Sequence, residues 1–501
     1  MSEISSHKQI LRSSSIIGAA SSVNVLVGLL RIKVVAVLLG PSGVGLIGIL
    51  QSLMAAASTA SSLGIGNVGT RQIAQAAGIG DQAGIDSARR ALFWGAMILA
   101  ILGGLVFWLL RNIISQLVMN DPDKSDLIGW ITIGVMLTVA ASAQSALLTG
   151  MRRIGDIARM RVLSAVLCTA MGVAAVFWLG ENGLILYVLA VPLAAFVVSH
   201  IFVMRLPSVQ SSRTPISVLL GQWGTMIRLG SAFMFAGLFA IGGQLVVRAI
   251  VQKELGANDL GYFQAAATIS TTYLGFVLGA MSTDYYPRLA AAMSSSEQAN
   301  RLVNEQTQVA LLLVGPVLLA LLALVPWIIP LLYSQEFYPA VDVLRWQILG
   351  DVLKVMSWPL GFVILASGAG KTFVLTESLA ISTFIIVVWL AIPFAGVQAT
   401  GIGFFSMYIV YLPLVYSISR SKTALRWDAR VKRDALILLV SALCISFVGR
   451  VSDVLGAAIG LSIAAIYGSF AFARLVKMAE IGGRAGRVVS FMRERLVKWW
   501  V

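Results

Sequence analysis

SSIIGAASSVNVLVGLLRIKVVAVLLG, residues 14–40, is an apolar run that carries Arg31 and Lys33 in its second half. A helix rises about 1.5 Å per residue, so a run of this length crosses a hydrocarbon core of about 30 Å. Centring a cation in a bilayer costs about 2.5–3.5 kcal/mol on insertion scales, so such a residue normally faces protein or a wet cavity. Arg248 and Lys354 lie at similar depth in later apolar runs. Buried cations in a membrane protein mark a path for something negative.

The rest of the chain follows the same pattern. Of 501 residues, 58% are hydrophobic and 12% charged, whereas soluble domains have about 25% charged residues. Fourteen spans can be read, at 14–40, 43–63, 91–110, 127–149, 160–180, 183–204, 229–251, 260–282, 308–332, 341–366, 372–392, 397–418, 434–449 and 455–473. The expected fold class is all-α and polytopic, with about 14 transmembrane helices. The short alternating segments of an outer-membrane barrel do not dominate. Cys168 and Cys444 lie inside apolar runs without metal-ligand spacing, and read as small buried side chains. Met1 to Ser15 is polar and the first run lacks a cleavage pattern, so no signal peptide is expected.

Charge orients the helices. With the N-terminus inside, 28 of the 37 Lys and Arg residues fall in cytoplasmic segments and five on the other side. This bias predicts both termini in the cytoplasm. It also accounts for the +15 net charge, so nucleic acid is not needed as a partner. In the tail, Val488, Met492, Leu496 and Trp499 recur at helical spacing with Arg487, Arg493 and Lys498 between them. That pattern predicts a basic amphipathic helix on membrane lipids, or a helix that docks a partner.

Leu39-Gly40-Pro41-Ser42-Gly43-Val44-Gly45 resembles Leu255-Gly256-Ala257-Asn258-Asp259-Leu260-Gly261, each copy following a span with a deep cation. The copies are six spans apart, and an even offset means parallel repeats related by an axis along the membrane normal. The expected organisation is a six-helix lobe over 1–205, a second over 206–420, two further helices over 421–476 and the interfacial tail over 477–501.

Four constellations could carry chemistry. Ser21, Asn24, Gly28 and Arg31 fall on one face of the first span at about 100° per residue, a polar stripe that should face a lumen. Lys33 points roughly the opposite way, and either cation could instead snorkel to the interface. Gln244 and Arg248 share a face of the seventh span. In the tenth, Gln347, Asp351, Lys354 and Trp358 share one. Asp351 and Lys354 form a structural ion pair, or Asp351 exchanges ions while Lys354 meets substrate. Gln51, Ser58 and Ser62, like Gln264, Thr268 and Thr271, suit interhelical hydrogen bonds or sugar hydroxyls.

Several enzymes are excluded. Ser367-Gly368-Ala369-Gly370-Lys371-Thr372 looks like the end of a P-loop, but Leu365 occupies the first glycine position. His7 and His200 are the only histidines, too few for a zinc site or a His-based triad. No catalytic residue, metal or cofactor is expected.

LRIKVVAVLLGPSGVG (30–45) resembles the opening of Wzx-type O-antigen flippases, of the multidrug/oligosaccharidyl-lipid/polysaccharide exporter superfamily. Gly64-Ile65-Gly66-Asn67 and LRWQILGD (344–351) support the resemblance. It implies two six-helix lobes around a V-shaped cavity. It implies a protein of the bacterial inner membrane that moves undecaprenyl-pyrophosphate-linked oligosaccharide outward for lipopolysaccharide biosynthesis, with polysaccharide polymerase machinery as a possible partner. Lys33 matches a basic position of that family's first helix, whereas the polar stripe favours Arg31. The extra helix pair is reminiscent of the lipid II branch. Substrate-binding candidates are Arg31, Lys33, Arg248, Lys354, Asn24 and Gln244, with Asp351 for ion coupling. The alternatives are a cation-coupled multidrug antiporter, which should place carboxylates where its substrate sits, and a polymerase, ligase or scaffold, which should carry a large outer loop.

Overall fold

The computed structural model describes residues 3–206 and 216–479, and the basic tail from Gly482 lies outside them. Every regular element among these residues is a helix. Among the described residues, eleven helical stretches are long and apolar enough to cross a membrane. The chain is an all-α polytopic membrane protein.

The first element shows why its sequence folds this way. Helix α1 (Glu3–Ser62) holds both of the first two expected spans, broken by a kink at Gly40. There the backbone takes φ 63° and ψ −168°, a conformation cheap only for glycine. Pro41 follows and supplies no N–H to the ladder. Then α2 (Ile65–Gly78) buries Ile65, Val68, Gly69 and Ile73, with Arg71 exposed on its other side. Its apolar face joins a cluster with Leu92, Ala146 and Met226. The segment 64–90 between the second and third expected spans is thus mostly helical, because the apolar stripe of α2 is too short to register as a span.

The chain continues through α3 (Gln82–Leu109), the short α4 (Arg111–Ile114), α5 (Ser125–Gly150), α6 (Ile154–Leu179), α7 (Leu184–Met204) and α8 (Ile216–Glu254). Asp81 caps α3 by accepting from Gly84 N at 2.9 Å. It then runs through α9 (Ala257–Ala292), α10 (Ser296–Leu332), α11 (Ala340–Ala366), α12 (Gly370–Ala395), α13 (Gln398–Thr423), α14 (Ala429–Val451) and α15 (Asp453–Ala479). Helices α8, α9 and α10 extend 10 or more residues past the expected spans at one end. Backbone hydrogen bonding continues there after hydropathy has fallen.

Two compact units emerge, Met1–Gly261 with Leu332–Ser334, and Tyr262–Leu331 with Gln335–Val501. In the first, α1 packs on α6 and α8, and α5 on α3 and α7. In the second, α11 packs on α12, α13 and α14. Phe93, Trp94 and Ile101 on α3, and Trp389, Leu390 and Phe394 on α12, project outward, as lipid-facing side chains do.

The last two helices are tied down by buried charges. Arg345, one of the five cations that charge bias puts on the side opposite the termini, is buried and donates to Gly449 O and Asp453 at 2.8 Å. Buried Asp434 on α14 accepts from Gln308 of α10 and Arg474 of α15. These contacts hold a buried charge on each side with its partner.

The two repeat copies meet within the first unit. Gly256 also has a positive φ, 91°. A Cβ on Gly45 would press on Ala257 O and Gly261 N, and one on Gly261 would overlap Pro41 O. The sequence repeat is therefore also a reciprocal glycine contact, backbone on backbone. Gly261→Ala should cost about 1–3 kcal/mol by overpacking. Thermal unfolding of the purified protein in detergent should show a lower midpoint.

Candidate functional site

Arg31 lines a cavity of about 560 Å³ in the first unit. Asn24, Gly28 and Arg31 of α1 line it together, as the stripe predicts. Gly28 has nothing within 4 Å of where a Cβ would sit, so the wall is open there. Facing it are Ser142 and Ser145 of α5, Arg161, Ser164 and Cys168 of α6, and Ser199 of α7. Serine and threonine hydroxyls are set there among apolar side chains such as Met54, Met160, Val191 and Pro192, and no Asp or Glu is among the lining residues.

The guanidinium of Arg31 is lightly held. Nη1 donates to Cys168 Sγ at 3.0 Å, and the group lies 5.8 Å from the Tyr187 ring centroid. Nε is buried with no hydrogen-bond partner, as is Asn24 Oδ1. Buried polar groups are normally satisfied. Here two of them are left unsatisfied, and a guanidinium fork is the geometry that suits phosphate oxygens.

Lys33 is placed elsewhere. Its ammonium donates to Tyr333 O at 2.6 Å, and it does not line this cavity. Arg248 is 7% exposed, with Nη1 at 3.2 Å from Gln244 O and 3.3 Å from Gln244 Oε1. Sequence spacing thus correctly pairs Arg248 with Gln244, but neither lines the Arg31 cavity.

The second unit has a cavity of its own, about 280 Å³, lined by Lys354 and Trp358 of α11, Glu377 of α12, and Tyr408 and Tyr411 of α13. Asp351 is fully buried behind it. Its Oδ2 accepts from Ser270 at 2.7 Å and Tyr273 at 2.6 Å, both on α9, while Oδ1 has no partner. Asp351 and Lys354 therefore share a helix and interact through space without a hydrogen bond. Gln264 and Thr268 bond to each other along α9.

Arg161 and Glu377 escaped the sequence reading. Arg161 falls at the cytoplasmic edge of the expected span 160–180 and so reads as an orienting charge, although Arg161, Ser164 and Cys168 recur at helical spacing on one face. Glu377 stands in an apolar stretch after Lys371 and gives no periodic signal. Among the described residues no cluster of His, Cys, Asp and Glu could hold a metal ion.

Residues 34–342 match the family described as polysaccharide biosynthesis protein. The chain belongs to that family. It is 25% identical over 408 residues to the lipid III flippase of Escherichia coli K12, covering 79% of this chain and 94% of the relative. The Shigella flexneri lipid III flippase matches equally. Among solved structures, an inward-facing multidrug resistance MATE family transporter of the MOP superfamily superposes with TM-score 0.68. The identity is 17%, over 80% of this chain and 94% of that one. Lipid II flippase MurJ, in an inward closed conformation, also gives 0.68, at 12% identity over 92% and 99%. These structures establish the fold, and the match to the polysaccharide biosynthesis family agrees with the polysaccharide-branch resemblance read from the sequence.

Proposed function

We propose that this polysaccharide biosynthesis family member is a flippase. It moves undecaprenyl-pyrophosphate-linked oligosaccharide, an O-antigen or related repeat unit, from the inner to the outer leaflet of the bacterial cytoplasmic membrane. The lipid III flippases it resembles support this substrate class. The observation that carries the reading is Arg31, incompletely hydrogen-bonded in a cavity whose lining includes serine and threonine hydroxyls and no carboxylate.

A diphosphate carries about two negative charges and cannot enter hydrocarbon unpaired. Arg31 is its principal ligand, with Arg161 and Asn24 beside it. Lys33, Arg248 with Gln244, and Lys354 are proposed as further contacts along its path. Anion binding removes repulsion among these cations and favours closure, and rocking between two lobes over 1–205 and 206–420 then exposes substrate to the other side. Asp351 is the proposed coupling residue, both termini are cytoplasmic, and a polymerase would receive the product. A drug-cation antiporter would need carboxylates where Arg31 and Arg161 stand.

Deleting the protein and measuring lipid-linked oligosaccharide in each leaflet tests the proposal. Precursor should accumulate on the cytoplasmic side, with surface glycan lost. Normal outward distribution, or accumulation on the outer leaflet as for a missing polymerase, would refute it.

A further inference from the structure

The second unit's cavity is built unlike the first. Trp358, Phe373, Tyr408 and Tyr411 form its walls, with Lys354 and Glu377 as its charged groups. The Lys354 ammonium lies 5.8 Å from the Phe404 ring centroid and makes no hydrogen bond among the described residues. Tyr411 OH donates to Glu377 Oε1, leaving the carboxylate further acceptor capacity. One unfilled donor group and one open acceptor, set among aromatic rings, match a pyranose. The ring's C–H faces are apolar and stack on aromatic planes, while its hydroxyls both donate and accept at the edge.

We propose that this cavity is a glycan subsite, holding one sugar ring of the transported oligosaccharide against Trp358 and Tyr408, with Glu377 and Lys354 bonding its hydroxyls. The assignment rests on the flippase reading and adds a second recognition element to it. A polyprenyl chain would bury Lys354 and Glu377 without partners, which is costly. A diphosphate would meet the Glu377 carboxylate. At about 280 Å³ the space lies just under the usual range for small-molecule sites, about 300–1,000 Å³, which suits one ring of a longer molecule.

Thiol protection tests it. Native Cys168 lines the Arg31 cavity and reports on that site in a Cys444→Ser protein. Ser357 lines the second cavity, and Ser357→Cys in a Cys168→Ser, Cys444→Ser background reports on the subsite. Each purified protein is treated with a small methanethiosulfonate reagent. The added lipid is either sugar-free undecaprenyl diphosphate or the lipid-linked oligosaccharide extracted from cells lacking this protein. The sugar-bearing lipid should slow modification of the Ser357→Cys protein about tenfold, the protection expected near ten times the dissociation constant. The sugar-free lipid should protect only Cys168. Trp358→Ala should abolish protection at Ser357→Cys and leave that at Cys168.

Equal protection of Ser357→Cys by the sugar-free lipid would overturn the subsite in favour of a prenyl or diphosphate occupant. A thiol there that the reagent never reaches would also overturn it. So would no protection at that thiol while Cys168 is protected, an outcome that leaves the flippase reading intact. Protection at neither thiol would sink both.

Discussion

Arg31→Ala is expected to stop export almost completely while the protein still reaches the membrane. The side chain contributes little to the fold, since its contacts within the first unit are one bond to Cys168 and a ring at 5.8 Å. Its loss as a ligand is larger. A hydrogen bond to a charged group contributes about 1.5–3 kcal/mol, and a guanidinium can make two to one phosphate group. Losing both should weaken substrate binding at least about a hundredfold, at 1.4 kcal/mol per factor of ten. Arg31→Lys keeps the charge without the planar fork and should retain part of the activity. Lys33→Ala should have a smaller effect on anion binding, because its ammonium is engaged by Tyr333 O. Lipid-linked precursor in each leaflet, normalised to protein in the membrane, reads all three. Wild-type export by Arg31→Ala would remove the central ligand from the proposal.

Arg31 was legible because helical periodicity is a local property. Asn24, Gly28 and Arg31 share a face whatever surrounds the helix, and a polar face deep in an apolar run has to meet something polar. The same locality made the repeat around Gly256 readable. Destinations set by other helices were not readable. Lys33 sits two residues from Arg31, yet its partner is a carbonyl at residue 333, and no pattern near Lys33 encodes that. Asp342, one turn before Arg345, is a partner on its own helix, but the partners that bury Arg345 against α14 and α15 lie about a hundred residues later. Asp351 was singled out correctly as a buried carboxylate. Its expected partner was Lys354, one turn along, whereas the groups that bond it are Ser270 and Tyr273 on α9. Sequence spacing finds neighbours on one helix and is blind to those across a packing interface.

That arrangement makes Asp351→Asn the most informative second substitution. The asparagine carbonyl can keep accepting from Ser270 and Tyr273, so the α9–α11 contact survives. Its amide would occupy the position of Oδ1, which has no partner, at a cost of about 1–3 kcal/mol for an unsatisfied buried donor. The change thus removes a charge and the capacity to carry a proton or a monovalent cation, with modest damage to the fold. If Asp351 couples export to an ion gradient, flipping in vesicles should respond to an imposed proton or sodium gradient in the wild type. In Asp351→Asn it should be flat and slower by about tenfold or more, as expected when Lys354 loses a buried counter-charge worth more than 1.4 kcal/mol. Tyr273→Phe and Ser270→Ala each remove one hydrogen bond but leave the carboxylate. They should therefore slow export without erasing its gradient response, separating loss of charge from loss of packing. An unchanged gradient response in Asp351→Asn would make the carboxylate a structural acceptor for α9, and coupling would have to be sought at Glu377, which shares a cavity with Lys354.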